Sequence, residues 1–122
     1  MMMWFITSIR FDKSDKSVYK SEHREAFALE KRTVAFYATK EGAIGAIEKN
    51  YGDLNEAGWY PWLVVEGLAA NCIYPIVREA EDQIFFEWQG RGDGKWVPCE
   101  FPKEVEDYMD KHSYHKQFAE IS

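Results

Sequence analysis

Cysteine is scarce in this chain, with only Cys72 and Cys99 among 122 residues. Disulfide frameworks belong to short secreted chains that carry more of it, so both thiols are expected free, in a reducing cytoplasm. Long hydrophobic runs are missing as well, and no apolar stretch approaches the roughly 18 residues of a helical membrane span. The opening Met1-Met2-Met3-Trp4-Phe5-Ile6 is apolar, but no basic residue precedes it and no small-residue cleavage site follows, so no leader is expected. An Asn-x-Ser/Thr acceptor is absent. Without internal repeats, low-complexity tracts or a Pro/Gly/Ser-rich linker, the chain reads as a single domain over 1–111, followed by a polar tail over 112–122.

Basic side chains are in deficit, 15 against 21 acidic, for a net charge of −6. A nucleic-acid binder normally shows a basic domain or stripe, so no nucleic-acid partner is expected. The charge is nonetheless uneven. Residues 1–40 hold eight Lys/Arg against five Asp/Glu, and residues 41–122 hold seven against sixteen. The basic first third reads either as a solvated face or as a patch for an acidic partner or phosphate.

Aromatic side chains are abundant: five Trp, seven Tyr and eight Phe. That content excludes disorder, and a chain of this length buries roughly 65% of its unfolded surface without staples. Residues 2–11 read as a central strand, with Met3, Phe5, Ile9 and Phe11 on one face at period two and Trp4 and Ile6 on the other. The charged, Ser-containing run Asp12–Ser21 is a surface loop, and 22–29 fits either a helical turn or extended chain. Lys31–Ala38 reads as a second strand, Val34 and Phe36 facing one way and Tyr37 the other. Thr39 then caps a helix starting at Lys40, whose stripe is Ala43, Ile44, Ile47 and Tyr51, with Gly52 as its left-handed end. Gly42 and Gly45 weaken that helix, which close approach to the sheet would offset.

Trp59–Glu66 reads as a third strand with Pro61 near its start, and 67–82 as irregular chain. Ile84–Trp88 and Lys95–Phe101 form a hairpin across the turn-forming 89–94, and Glu104–Lys111 is a short helix. The order β-β-α-β-β-β makes the second and third strands parallel, with the first able to sit between them. The fold expected is α+β: a mostly antiparallel sheet of five strands, one main helix on one face and a short C-terminal helix.

Several segments together resemble a known pattern. They are Trp4-Phe5-Ile6-Thr7-Ser8-Ile9, Arg32 to Thr39, the helix exit Glu48-Lys49-Asn50-Tyr51-Gly52-Asp53-Leu54, Tyr60 to Glu66, Tyr74-Pro75 and Phe86-Glu87-Trp88. The pattern is similar to that of a family of short uncharacterised proteins of gut bacteria and their phages. The likeness spans about residues 4–102 less the loop after the first strand. The chain departs from it in Ala35, where Gly is usual, and in the longer stretch Gly67–Ile73. The resemblance implies the same element order and no particular activity; its phage setting implies an anti-defence inhibitor as one role.

Constellations that carry chemistry are thin. Gly90-Arg91-Gly92-Asp93-Gly94 is glycine-rich, but a strand follows it where a phosphate-binding loop needs a helix N-terminus, so it reads as a hairpin tip. His112 and His115 share a helical face without an evident third ligand. Neither Cys72 nor Cys99 carries the flanking residues of a catalytic thiol, and the acidic runs 79–82 and 104–110 read as solvated faces. No catalysis, metal or cofactor is expected.

The surplus of rings is the distinctive feature. Trp59, Tyr60 and Trp62 cluster at one strand start, and Trp88 and Trp96 lie in the hairpin. Alternate strand residues point to opposite faces, so one core with one helix cannot easily take them all, and the rings either pack in the core or line an interface or a ligand pocket. The expectation is a protein-interaction module that self-associates through the uncovered, aromatic-rich sheet face or an edge strand, as a homodimer or larger assembly. The alternative is a small-molecule binder in which Trp59, Trp62, Trp88 or Trp96 stacks on a nucleotide-like ligand and Arg91 holds its phosphates.

Overall fold

Apolar residues on both faces of its first segment place β1 (Met2–Asp12) in the middle of the sheet. It pairs antiparallel with β2 (Ala28–Tyr37) on one side and β3 (Trp62–Ala69) on the other. β4 (Asp82–Gln89) and β5 (Lys95–Cys99) extend the sheet as a meander, giving the order β2-β1-β3-β4-β5. Because β2 and β3 flank the same antiparallel strand, they run parallel to one another. The expected α+β architecture, a five-stranded antiparallel sheet with two helices, is what the chain forms. The computed structural model describes residues 2–12, 28–56, 59–69, 82–90, 93–112 and 118–119. Expectations placed on 13–27, Cys72, Tyr74-Pro75, the acidic 79–81, Arg91 and His115 lie outside them.

Helix α1 (Lys40–Glu48) starts where Thr39, in extended conformation, accepts the Gly42 N–H at 3.0 Å on its hydroxyl. It covers one face of the sheet. Ala43, Ala46 and Ile47 pack there on Ile6, Leu63, Val65, Phe86 and Trp96. The other face is not bare. Ile9, Trp62, Val64 and Phe85 are covered there by Val105 and Met109 of α2 (Lys103–Lys111) and by Phe118. Two cores, one on each side of the sheet, thus absorb the alternating large residues that a single core could not.

This arrangement corrects two expectations. The sheet face expected to be free for self-association is covered by α2 and Phe118. The tail beyond 111 is not wholly solvated, since Phe118 and Ala119 are buried. The reason lies on β3. Glu66 has no exposure, and its carboxylate accepts the backbone N–H groups of Phe118 (2.8 Å) and Ala119 (2.7 Å) and the Gln83 amide (2.9 Å). A buried carboxylate needs such donors, and the segment that supplies them is drawn into the core.

Local differences have local causes. The register of β1 and β2 slips between Ile6 and Thr7, leaving Val34 unpaired as a bulge. Val34 and Ala35 therefore both pack toward α1, with Tyr37, while Phe36 points the other way. Helix α1 stops at Glu48, and Asn50 (φ 49°), not Gly52, is the first left-handed residue after it. Tyr51 therefore falls outside the helix stripe and is 58% exposed. β3 begins at Trp62 rather than Trp59, because Asn55 closes a turn onto Tyr60: its side chain donates to the Tyr60 carbonyl (2.8 Å) and its carbonyl accepts the Tyr60 N–H (3.1 Å).

Candidate functional site

The chain between α1 and β3 is a series of tight turns. Asp53 N–H donates to Asn50, Glu56 to Asp53 and Trp59 to Glu56, with Asn50, Gly52, Asp53 and Glu56 all at positive φ. This loop lies over the end of the β1–β2 pair that α1 does not reach. It turns Tyr60 inward, 4% exposed, and leaves Trp59 outward, 57% exposed.

Beneath it sits a cluster of charges and rings on the α1 side of the sheet. Arg10 of β1 donates to Glu30 of β2 at 2.8 Å, and the Tyr60 hydroxyl donates to the other Glu30 oxygen at 2.9 Å. The Arg10 guanidinium lies 4.6 Å from the centre of the Trp59 ring and 5.5 Å from that of Tyr60. Arg32 stands 5.3 Å from the Tyr60 ring and pairs with Glu56 of the loop. Burial, then the Glu30 carboxylate, pushes the Tyr60 phenol above its ordinary value, with Arg10 and Arg32 opposing. Each guanidinium is thus bound to a carboxylate and faces a ring, Arg10 that of the exposed Trp59 and Arg32 that of Tyr60. Beside it Arg32, Val34, Tyr51, Gly52, Asp53, Leu54 and Glu56 line an open hollow of about 540 Å³.

Among the described residues, three large hydrophobic side chains stand exposed: Phe36 (64%), Tyr51 and Trp59. Phe36 and Tyr51 lie at β2, and Trp59 lies over Arg10 of the neighbouring β1. Phe36 is on β2 itself, its ring 5.9 Å from Phe5 on the α2 side; Tyr51 lines the hollow beside Arg32 and Val34 of β2; Trp59 is reached through Arg10 and Glu30. β2 is an end strand of ten residues. The opposite end strand, β5, has five residues and includes Pro98, which cannot donate to a further ladder.

Of the residues singled out from the sequence, only Trp59 is an accessible ring at this surface. Tyr60, Trp62 and Trp96 are buried, and Trp88 is half-buried in an edge-to-face pair with Trp96, centroids 5.2 Å apart. A ligand stacking on Trp62 or Trp96 would have to displace the core. Sequence reasoning missed Phe36, which it placed beside Val34; the bulge that separates them carries no composition signal. It missed Tyr51 by extending α1 through a residue that the left-handed Asn50 excludes.

The carbonyl of Tyr108 can only accept, so the His112 Nδ1 donates to it at 2.9 Å, and the ring stacks on Tyr108 at 4.1 Å. Burial pushes the Cys99 thiol up to about 11, with Glu87 adding to the shift, so little thiolate forms near neutrality. No group of three metal-ligating side chains is assembled among the described residues, and none of their helices is long and apolar enough to cross a membrane. No protein-family model, curated protein or solved structure matches the chain.

Proposed function

We propose that the chain is a non-catalytic protein-binding domain that associates with a second copy of itself at the β2 edge. The observation that carries this reading is that the exposed rings Phe36, Tyr51 and Trp59 all lie on β2, beside it or over its pairing partner β1, at one end of the sheet. Exposed aromatics held in fixed orientations are the usual anchors of protein interfaces. Among the described residues no strand pairs with the outer edge of β2, and pairing two copies of it about a two-fold axis makes each patch its own complement. Glu30, Lys31, Arg32 and the bulge at Val34 blunt the first half of β2, so backbone pairing is left to Ala35–Tyr37, with Trp59 adding a side-chain contact from the Arg10–Glu30 end. That limits its area and makes the dimer weak and concentration-dependent.

The test is sedimentation velocity from micromolar to millimolar concentration. Wild type should shift from monomer toward dimer, and Trp59→Ala and Phe36→Ser should each hold it monomeric with the far-UV spectrum unchanged. A wild-type monomer across the whole range overturns the proposal. So does a dimer that neither substitution weakens.

A further inference from the structure

The seat of the C-terminal segment has the chemistry of a peptide-binding site. Two successive backbone N–H groups, from Phe118 and Ala119, donate to the two oxygens of one carboxylate, Glu66, and Gln83 completes the set. The Phe118 side chain is fully buried, its ring edge-on to Phe85 (5.6 Å) and tilted against Phe101 (5.8 Å), which in turn lie 4.5 Å from each other. Recognition is thus of a segment that presents two successive N–H groups, an aromatic side chain and a small residue after it. A Glu that is buried among apolar neighbours is costly unless these donors are present, which makes the occupant part of the site's chemistry rather than filler.

The seat is separable from the rest of the molecule. The core on the α1 side, built from Ile6, Ala43, Ile47, Leu63, Val65 and Trp96, includes neither the segment nor any residue that grips it. The described part of the segment is two residues long and is held through the Phe118 side chain and two N–H groups. An element held in this way can be exchanged between identical chains.

We infer that the Glu66 seat is a segment-binding site that takes Phe118–Ala119 in trans from a second copy of the chain whenever its own segment is displaced. Within one chain the short connection from α2 keeps the segment at high effective concentration, so the chain's own segment wins while it is intact. Exchange appears when that competitor is removed. The inference does not rest on the β2 edge, which lies elsewhere in the fold.

Complementation between two full-length variants tests it. Phe118→Ala keeps Glu66 but loses the aromatic plug; Glu66→Leu keeps the segment but loses its acceptor. Neither variant holds a complete pair, and their mixture does. Native mass spectrometry should show a heterodimer on mixing, in excess of any dimer either variant forms alone and persisting when Trp59→Ala is added to both. The peptide acetyl-Lys-Gln-Phe-Ala-Glu-amide should bind Phe118→Ala and raise its melting temperature. Methylating the Ala nitrogen of the peptide removes one hydrogen bond to a charged acceptor and should weaken binding about tenfold or more. No heterodimer and no peptide binding by a folded Phe118→Ala chain overturns the inference, as does equal binding of the methylated peptide. If Phe118→Ala fails to fold, hydrogen exchange decides. The Phe118 and Ala119 amides of wild type should exchange by an opening that leaves the Leu63 and Val65 amides protected, and exchange only with global unfolding overturns the inference.

Discussion

The indole N–H of Trp96 on β5 donates to the side-chain oxygen of Asn50 at 3.0 Å, and the same oxygen accepts the Leu54 N–H at 2.9 Å. One left-handed residue therefore ends α1, shapes the loop that carries Trp59 and ties that loop to the far end strand. Asn50→Ala removes both bonds, strands a buried indole N–H and loses the short polar side chain that makes positive φ tolerable; we expect a loss of about 3 kcal/mol. Asn50→Gly loses the bonds but tolerates the backbone, so it should recover about 1 kcal/mol of that. Urea unfolding of the two variants separates the contributions.

Gly45 and Gly67 predict opposite outcomes for the same substitution. A Cβ at Gly45 meets nothing within 4 Å, so Gly45→Ala should stabilise the fold by about 1 kcal/mol through helix propensity alone. A Cβ at Gly67 would lie 2.8 Å from the Trp4 indole, which rests on this position of β3. Gly67→Ala should cost about 1–3 kcal/mol as overpacking, and Trp4 emission should report the ring's displacement. Thermal melts of both variants check the pair.

Trp59 should account for most of the fluorescence that iodide quenches, since Trp62 and Trp96 are buried and Trp4 and Trp88 half-buried. Trp59→Phe should remove that fraction while costing no more than about 1 kcal/mol, the scale of its contact with Arg10. Stern–Volmer plots of the two proteins give the answer directly.

Burial, the largest influence, raises the Glu66 carboxyl above its ordinary value; the Phe118 N–H, Gln83, the Ala119 N–H and Lys31 pull it partly back. A carboxyl with a higher pKa in the folded chain than in the unfolded one stabilises the fold when protonated. That contribution is full below the unfolded value of 4.5 and is lost as the pH rises through the folded value. The stability of wild type relative to Glu66→Leu should therefore grow on acidification from neutrality toward that value. Urea midpoints across this interval measure it, and the opposite slope contradicts the assignment.

Much of the fold was legible in residue order. Period-two alternation in 2–11, the Thr39 cap, the glycine-rich turn before Lys95 and the stop at Pro102 locate elements within a few residues, because each acts through neighbours in the chain. The crossover from β2 through α1 to β3 left room for β1 between them, and β1 occupies it. The surface was less legible. Whether Trp59 or Trp62 faces solvent depends on a turn set by one Asn55–Tyr60 clasp, and whether Phe36 does depends on a bulge.

By itself the sequence determined the α+β composition, the central place of β1 and the need to bury more rings than one helix can cover, since periodicity and apolar content are local properties. Only the tertiary structure decided how that need is met. A carboxylate on β3 captures two N–H groups 52 and 53 positions later in the chain, closing the second face of the sheet with Phe118. The exposed rings are thereby left at the β2 end of the sheet. A buried charge finds its donors by proximity in space, which no spacing along the chain encodes.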